Sequence, residues 1–348
     1  MTTTAPPLII PVFIPHLGCP HQCAFCNQSV IAGQREKLPD RQEIVEQVDG
    51  YLRYRGNRPH VELAFFGGNF LGLNQEDRYR LLDAAQSLVE QKKIDFIRFS
   101  TRPDTITPET LTSLSGYAVK TVEIGVQSMN DDVLLLSRRG HTSSDTRTAA
   151  ERLRETGFET GMQMMVGLPG DDDESALETG RAIAALTPAF VRIYPLLVLK
   201  GSAIYRWYIQ GRYQPMQLDH CVTLVKRLYS LFSSEGIRVI RMGLQTSDLL
   251  QGFDGIAAGP WHPAFGHLVY SELFLDKTLA MLAQAMPAPV PGLLTIHIHP
   301  ASESRLRGDR NRNMDILASC YPGITFSIRT DPGLGPESIC VEYFPDQK

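Results

Sequence analysis

Cys19-Pro20-His21-Gln22-Cys23-Ala24-Phe25-Cys26 is the stretch on which the reading of this chain turns. Three thiols fall at CxxxCxxC spacing, with an aromatic residue immediately before the last. Gly18 and Pro20 interrupt any helix here, so the thiols belong to a loop that curls around one centre. Three thiolates are one fewer than the four that close an iron–sulfur cube or a structural zinc site. A centre with three protein ligands keeps one position open for chemistry. The spacing also admits a Cys3His zinc site completed by His16 or His21. Zinc modules usually bring two separated ligand pairs, whereas Cys221, Cys320 and Cys340 stand alone. Six cysteines in 348 residues are too sparse for a secreted disulfide framework.

Around this loop the composition is that of an ordinary globular protein, 43% hydrophobic and 21% charged, with a net charge of -4. A chain of this size buries roughly three quarters of its unfolded surface and needs no staples. The apolar run at 8–14 is short, broken by Pro11 and preceded by no basic residue, so it does not read as a signal peptide. No stretch approaches a membrane span. The expected setting is the cytoplasm, where thiols stay reduced. Mild acidity neither favours nor excludes nucleic acid.

Strand and helix patterns alternate through the first two hundred residues. Strands are expected at 8–14, 61–66, 94–100, 119–126, 159–166 and 190–194. Helices are expected at 41–52 (capped by Asp40), 77–91, 108–114, 131–137, 145–155 and 173–186. Such alternation predicts a parallel sheet with right-handed crossovers, as an incomplete (β/α)6 barrel or a twisted open sheet. Ligands then bind at the C-terminal strand ends. Beyond a long helix at 217–234, a strand at 237–242 is expected to extend the sheet. The division falls at 245/246: 1–245 a partial barrel, 246–348 a small C-terminal α/β extension facing the substrate. A turn-rich stretch at 246–261, a helix at 262–284 and the proline-rich linker 286–291 precede strands at 292–299, 324–328 and 338–343, with a helix at 311–318.

Motifs close the expected strands in order. Phe65-Phe66-Gly67-Gly68-Asn69-Phe70 ends the second, and its paired glycines suit close approach of a ligand. Phe99-Ser100-Thr101-Arg102-Pro103-Asp104 ends the third, Val122-Glu123-Ile124-Gly125-Val126-Gln127-Ser128 the fourth, and Met164-Met165-Val166-Gly167-Leu168-Pro169-Gly170 the fifth.

Together the cysteine spacing and these strand ends resemble the radical S-adenosylmethionine (radical SAM) superfamily. The similarity is to the branch holding the elongator catalytic subunit and oxygen-independent coproporphyrinogen oxidases. The resemblance implies a 4Fe-4S cluster on Cys19, Cys23 and Cys26. Its free iron binds the amino and carboxylate groups of S-adenosylmethionine, and reductive cleavage yields a 5′-deoxyadenosyl radical that takes hydrogen from a substrate. By the same resemblance Gly67 and Gly68, with Asn69, receive the methionine amino group. Gln127 and Arg139 contact the carboxylate region, where a guanidinium fork suits a carboxylate. Ser100 and Gln163 stand where that branch often carries a carboxylate, and Phe25 lies near the adenine. A reductant such as flavodoxin or ferredoxin is implied, and a transfer RNA base is the first substrate expected. A small metabolite or tetrapyrrole is the second, and a non-catalytic cluster or zinc protein the third.

The chain departs from the branch in places. Gln28 stands where coproporphyrinogen oxidases carry a further cysteine, and the haem-chaperone His-Asn motif is absent. The cysteine spacing is tighter than in the elongator subunit, and the length leads to the expectation of a protein without that subunit's acetyltransferase domain. In the C-terminal part, His297 and His299 share a strand face without an evident third ligand. Arg305, Arg307, Arg310 and Arg312 form a basic run that suits either phosphates or a solvated helix start. The turn Gly259-Pro260-Trp261-His262-Pro263 is read as either a substrate mouth or a packing corner.

Overall fold

A computed structural model describes residues 6–15, 18–27, 37–244, 255–286 and 290–346. His16, Gln28, much of the turn-rich stretch at 246–254, the linker prolines at 287–289 and the division at 245/246 lie outside the described residues.

The first unit is built on one parallel sheet. Its strands are β1 (Leu8–Phe13), β2 (Val61–Phe66), β3 (Phe96–Thr101), β4 (Val119–Gln127), β5 (Glu159–Val166), β6 (Phe190–Pro195) and β8 (Arg238–Met242). They lie in the order β1-β2-β3-β4-β5-β6-β8, and every neighbouring pair is parallel. This is the expected half-barrel, with the strand after the long helix Leu218–Ser234 added at one edge. Two short strands, β7 (Val198–Leu199) and β9 (Ile256–Ala258), pair antiparallel beside it.

Register assigns the two faces. On one, Val12, Leu63, Phe65, Phe99, Val122, Ile124, Met162, Val191 and Ile193 are fully buried. The crossover helices cover this face with residues such as Leu81, Leu82, Leu88, Leu153 and Ile183. The other face carries Glu62, Arg98, Ser100, Glu123, Gln163, Arg192 and Tyr194 at successive alternate positions. The half-barrel is therefore apolar outside and charged inside.

Helix starts follow capping chemistry. Asp40 caps Arg41–Leu52 in a reciprocal box with Glu43, worth about 1 kcal/mol. Two helices begin two residues before their expected starts because an upstream residue caps them: Asn74 for Gln75–Glu90 and Thr142 for Ser143–Glu155. The chain also forms the helix Ala203–Ile209, capped by Ser202, which the periodicity did not reveal.

The described chain divides into two compact units, Met1–Cys221 with Leu228–Trp261, and Val222–Arg227 with His262–Lys348. The second has its own core. The helix Phe265–Ala285 buries Phe274, Leu275 and Leu282 with Leu294, Ile296 and Ile298 of β10 (Gly292–Ile298). β10 is the centre of a three-stranded sheet, parallel to β11 (Ile324–Thr330) and antiparallel to β12 (Ile339–Pro345). His297 pairs with Glu342 at 3.2 Å, and His299 accepts the Ala301 N–H at 3.1 Å, so the two imidazoles serve different partners.

Candidate functional site

The cysteine loop sits across the C-terminal ends of β1 to β4, and its backbone is tied down at several points. The Asn69 side-chain amide donates to the Gly18 carbonyl at 2.8 Å. The Ala24 N–H donates to the Ser137 carbonyl at 2.9 Å, and the Ile204 N–H donates to the Ala24 carbonyl at 2.8 Å. Gly18 and Gly72 meet backbone to backbone. A Cβ on Gly72 would stand 2.1 Å from the Gly18 carbonyl oxygen, and one on Gly18 would stand 2.6 Å from the Asn69 carbonyl oxygen. Gly67 and Gly68 are used in the same way. A Cβ on either would stand 2.8 Å from the Ile14 carbonyl oxygen or 2.7 Å from that of Pro15. The glycine pair thus lets the turn after β2 lie against the chain that leads into the cysteines.

Asn69 is almost completely buried. Its carbonyl oxygen accepts from the Thr101 hydroxyl at 2.7 Å, the Arg102 N–H at 3.0 Å and the Thr105 hydroxyl at 3.0 Å. With the bond to Gly18, the side chain is fully engaged within the protein. It links the cysteine loop to the end of β3.

Arg139 and Gln127 meet beside Gly125, whose Cβ would fall 2.7 Å from Arg139 Nη2 and 3.1 Å from Gln127 Nε2. Arg139 Nη2 donates to the Gly125 carbonyl at 2.7 Å, and Nη1 reaches Cys23 Sγ at 3.4 Å. Gln127 lies at φ +66°, in the left-handed region, at a register shift between β4 and β5. A non-glycine residue held there stores strain of about 1–3 kcal/mol, and here that conformation aims a polar side chain at the strand end. His141 reaches the Val126 carbonyl at 3.3 Å through Nε2. Burial first, then Arg139 and Arg102, push its pKa down to about 3, so the imidazole is neutral. Gly140 carries the turn past His21: its Cβ would fall 2.3 Å from that ring.

The fit of a cluster and its co-substrate can be judged from the orphaned atoms. Arg102 Nη1, Gln127 Oε1, Arg139 Nε and His141 Nδ1 are buried without a hydrogen-bond partner. Native interiors rarely leave such groups unpaired, and together they offer both donors and acceptors to a zwitterion. Burial raises the Cys19 thiol above its usual range, while Arg139 and Arg102 oppose this, so metal uptake there releases a proton. Among the described residues no three His, Cys, Asp or Glu side chains converge on one metal ion. Each cysteine of a cube ligates its own iron, so the thiols need not share a point. The residues present fit a cluster with a carboxylate- and amine-bearing ligand.

Ser100 and Gln163 come together below this level, but they do so around a residue the motif reading passed over. Gln163 Nε2 donates to Ser100 Oγ at 3.1 Å and to Glu123 Oε2 at 3.0 Å. Glu123 is fully buried and also takes Arg192 Nη2 at 3.0 Å and faces Arg98 Nε at 3.5 Å, which in turn faces Glu62 at 3.3 Å. Phe25 packs apart from this network, against Val133, Leu168, Leu196, Val198 and Ile204.

Residues 13–183 match the Radical SAM superfamily model, and residues 188–274 match a Radical_SAM C-terminal domain. An uncharacterized protein of Methanocaldococcus jannaschii is 28% identical over 62% of this chain and 69% of its own length. The tRNA uridine(34) acetyltransferase of Methanocaldococcus infernus is 26% identical over 64% of this chain and 49% of its own. The chain spans about half the length of the acetyltransferases it matches. Among solved structures, the archaeal Methanocaldococcus infernus Elp3 with an N-terminal deletion superposes with a TM-score of 0.61. That match has 22% identity and covers 80% of this chain and 64% of that one, which supports the shared half-barrel fold. Family models that match the cysteine loop and run on through the sheet agree with the folded geometry: the chain belongs to the radical SAM superfamily, enzymes that use a 4Fe-4S cluster and S-adenosylmethionine.

Proposed function

We propose that this enzyme acts on a nucleoside of RNA, with transfer RNA as the first candidate, through a cluster held by Cys19, Cys23 and Cys26. When bound, the cluster and S-adenosylmethionine supply a 5′-deoxyadenosyl radical for hydrogen abstraction. The chain's own groups then have distinct tasks. Arg139 and Gln127 receive the methionine carboxylate, and Arg102, held bidentate by Asp104, offers its free Nη1 beside them. Gly67 and Gly68 expose backbone to the amino group, while Asn69 positions the loop. Phe25 and its apolar neighbours form a dry wall for the adenine. Ser100, Gln163 and Glu123 present hydrogen-bonding groups on the inner face of the half-barrel. An electron arrives from a low-potential donor of the flavodoxin or ferredoxin type in a cytoplasmic setting. No helix among the described residues is long and apolar enough to cross a membrane.

The observation that carries the cofactor part is the set of four orphaned polar atoms around Arg139. Relatives named for tRNA uridine(34) support the RNA part. The basic run supports it only weakly. Arg307 pairs with Glu303 at 2.9 Å, and Arg305 lies on the Tyr270 ring at 4.5 Å. The test is dithionite-driven formation of 5′-deoxyadenosine by reconstituted protein with and without bulk transfer RNA. Acceleration by transfer RNA, abolished in Cys19→Ala, Cys23→Ala or Cys26→Ala, is expected. Acceleration by tetrapyrroles or small metabolites alone would move the substrate out of RNA. Arg139→Ala should weaken the response of the cluster's spectrum to S-adenosylmethionine while the iron stays bound.

A further inference from the structure

Beside the cysteine loop, a cavity of about 700 Å³ opens between the turn after β5 and the helix Ala203–Ile209. The proposed reaction uses none of its polar lining. Arg138 and Arg212 both lie against the Trp207 ring, at 5.3 and 5.9 Å from its centroid. Among the described residues that indole is the one side chain that either guanidinium engages. Two cations held on one ring repel each other until an anion bridges them. His220, also on the rim, is engaged by Asp173 at 2.8 Å.

On the same lining, Asp171 Oδ1 is buried without a hydrogen-bond partner, while Ser175 and the Gly167 and Asp172 backbone engage the carboxyl elsewhere. Burial pushes this carboxyl up to about 6. The wall is preformed, because the Tyr213 hydroxyl donates to the Gly167 carbonyl at 2.7 Å. Leu135 and Leu136 leave apolar surface at the mouth, 76% and 50% exposed. Mostly apolar walls with a few convergent polar groups are the usual form of a small-ligand site. The required ligand has a phosphate for the arginines, a flat body for the leucines and indole, and an N–H edge for the carboxylate.

We propose that this cavity is a nucleotide-binding subsite on the rim of the half-barrel; it shares the apolar wall at Leu168 with the cluster around Phe25, and its polar groups are none of those assigned to S-adenosylmethionine. The nucleotide is either a residue of an RNA chain or a free mononucleotide. Only the first source rests on the RNA reading above.

The chain has two tryptophans, so Trp261→Phe leaves Trp207 as the sole reporter. Reconstituted full-length protein of that background is titrated with AMP, UMP, inorganic phosphate and a five-nucleotide RNA, followed by Trp207 fluorescence. A saturable response to a mononucleotide is expected, weakened ~tenfold or more by Arg212→Gln, with iron content unchanged. A response to the oligonucleotide alone, weakened by the same variant, assigns the site to RNA. Arg138→Gln provides a second variant should Arg212→Gln misfold. The proposal would be overturned by no saturable response to any nucleotide, by binding that neither variant weakens, or by displacement of the nucleotide by S-adenosylmethionine. Phosphate binding as tightly as UMP would also overturn it, since the apolar wall would then contribute nothing. Transfer RNA stimulation of cleavage is measured separately, so either result can stand without the other.

Discussion

Asn69→Ala should loosen the cysteine loop before it disturbs anything else. The substitution removes the donor to Gly18 and the acceptor shared by Thr101, Arg102 and Thr105. The two threonine hydroxyls can still bond each other at 3.0 Å, and Thr105 also has the Arg102 carbonyl at 2.8 Å. The Arg102 N–H has no substitute, and leaving it buried and unpaired costs roughly 1–3 kcal/mol. The lost bond to Gly18 adds about 1 kcal/mol, and the small void somewhat less, for a total of roughly 2–5 kcal/mol. Asn69→Asp separates the two functions. It keeps the acceptor for β3 but sets a carboxylate oxygen against the Gly18 carbonyl, so the loop is released while β3 stays paired. Both tryptophans belong to the first unit, so urea titration followed by their fluorescence reports on the half-barrel. With a urea slope of a few kcal/mol/M, Asn69→Ala should lower the midpoint by about 1 M. Both variants should lose iron on gel filtration after reconstitution. If Asn69→Asp keeps its cluster and loses only the response to S-adenosylmethionine, Asn69 is a ligand contact and the pinning argument is wrong.

Three further outcomes follow from the site. Glu123→Gln leaves Arg98 and Arg192 facing each other with Glu62 alone, at a cost of about 3–5 kcal/mol, read as a fall in Tm on the order of 10 °C. An unchanged Tm would mean the inner charges are solvated. Because His141 is held neutral down to about pH 3, the unfolded chain binds a proton below pH 6.5 that the native chain does not. Stability of the metal-free protein should therefore fall as pH drops from 6.5 toward 3, and His141→Asn should flatten that slope in urea midpoints taken at pH 5 and 7.5. Gly72→Ala should abolish cluster loading, since its Cβ has no room beside the Gly18 carbonyl; normal iron content in that variant would show that the loop has a second seat.

The half-barrel was readable because its outer face obeys simple rules. Short apolar strands alternate with amphipathic helices, and a parallel sheet follows from that alternation. The cysteine loop was readable because thiol spacing is local. Less visible was whatever depends on contact across the fold. Gly18 and Gly72 lie more than fifty residues apart, and only the folded backbone shows that neither tolerates a Cβ. Helix starts at Asn74 and Thr142 were missed because capping outweighed the apolar period on which the boundaries were drawn.

The inner charges are a different kind of omission, because their signal was present. A strand buried on both faces of a parallel sheet is expected to be apolar throughout. Val61-Glu62-Leu63, Ile97-Arg98-Phe99, Val122-Glu123-Ile124 and Val191-Arg192-Ile193 each place one charge between apolar neighbours, in four of the first six strands. Isolated, each would be a costly burial; in register they neutralise one another as Glu62–Arg98–Glu123–Arg192. Arrangement by strand, not by motif, would have exposed the pattern, since only the parallel register brings residues up to 130 positions apart onto one face. A half-barrel that needed only to be stable would fill this face with aliphatic side chains. A chain of balanced charges, with Gln163 bonded to Glu123 at its centre and to Ser100 beside it, and with Tyr194 accepting from Arg192 at its end, supports the proposal that this face receives a polar substrate.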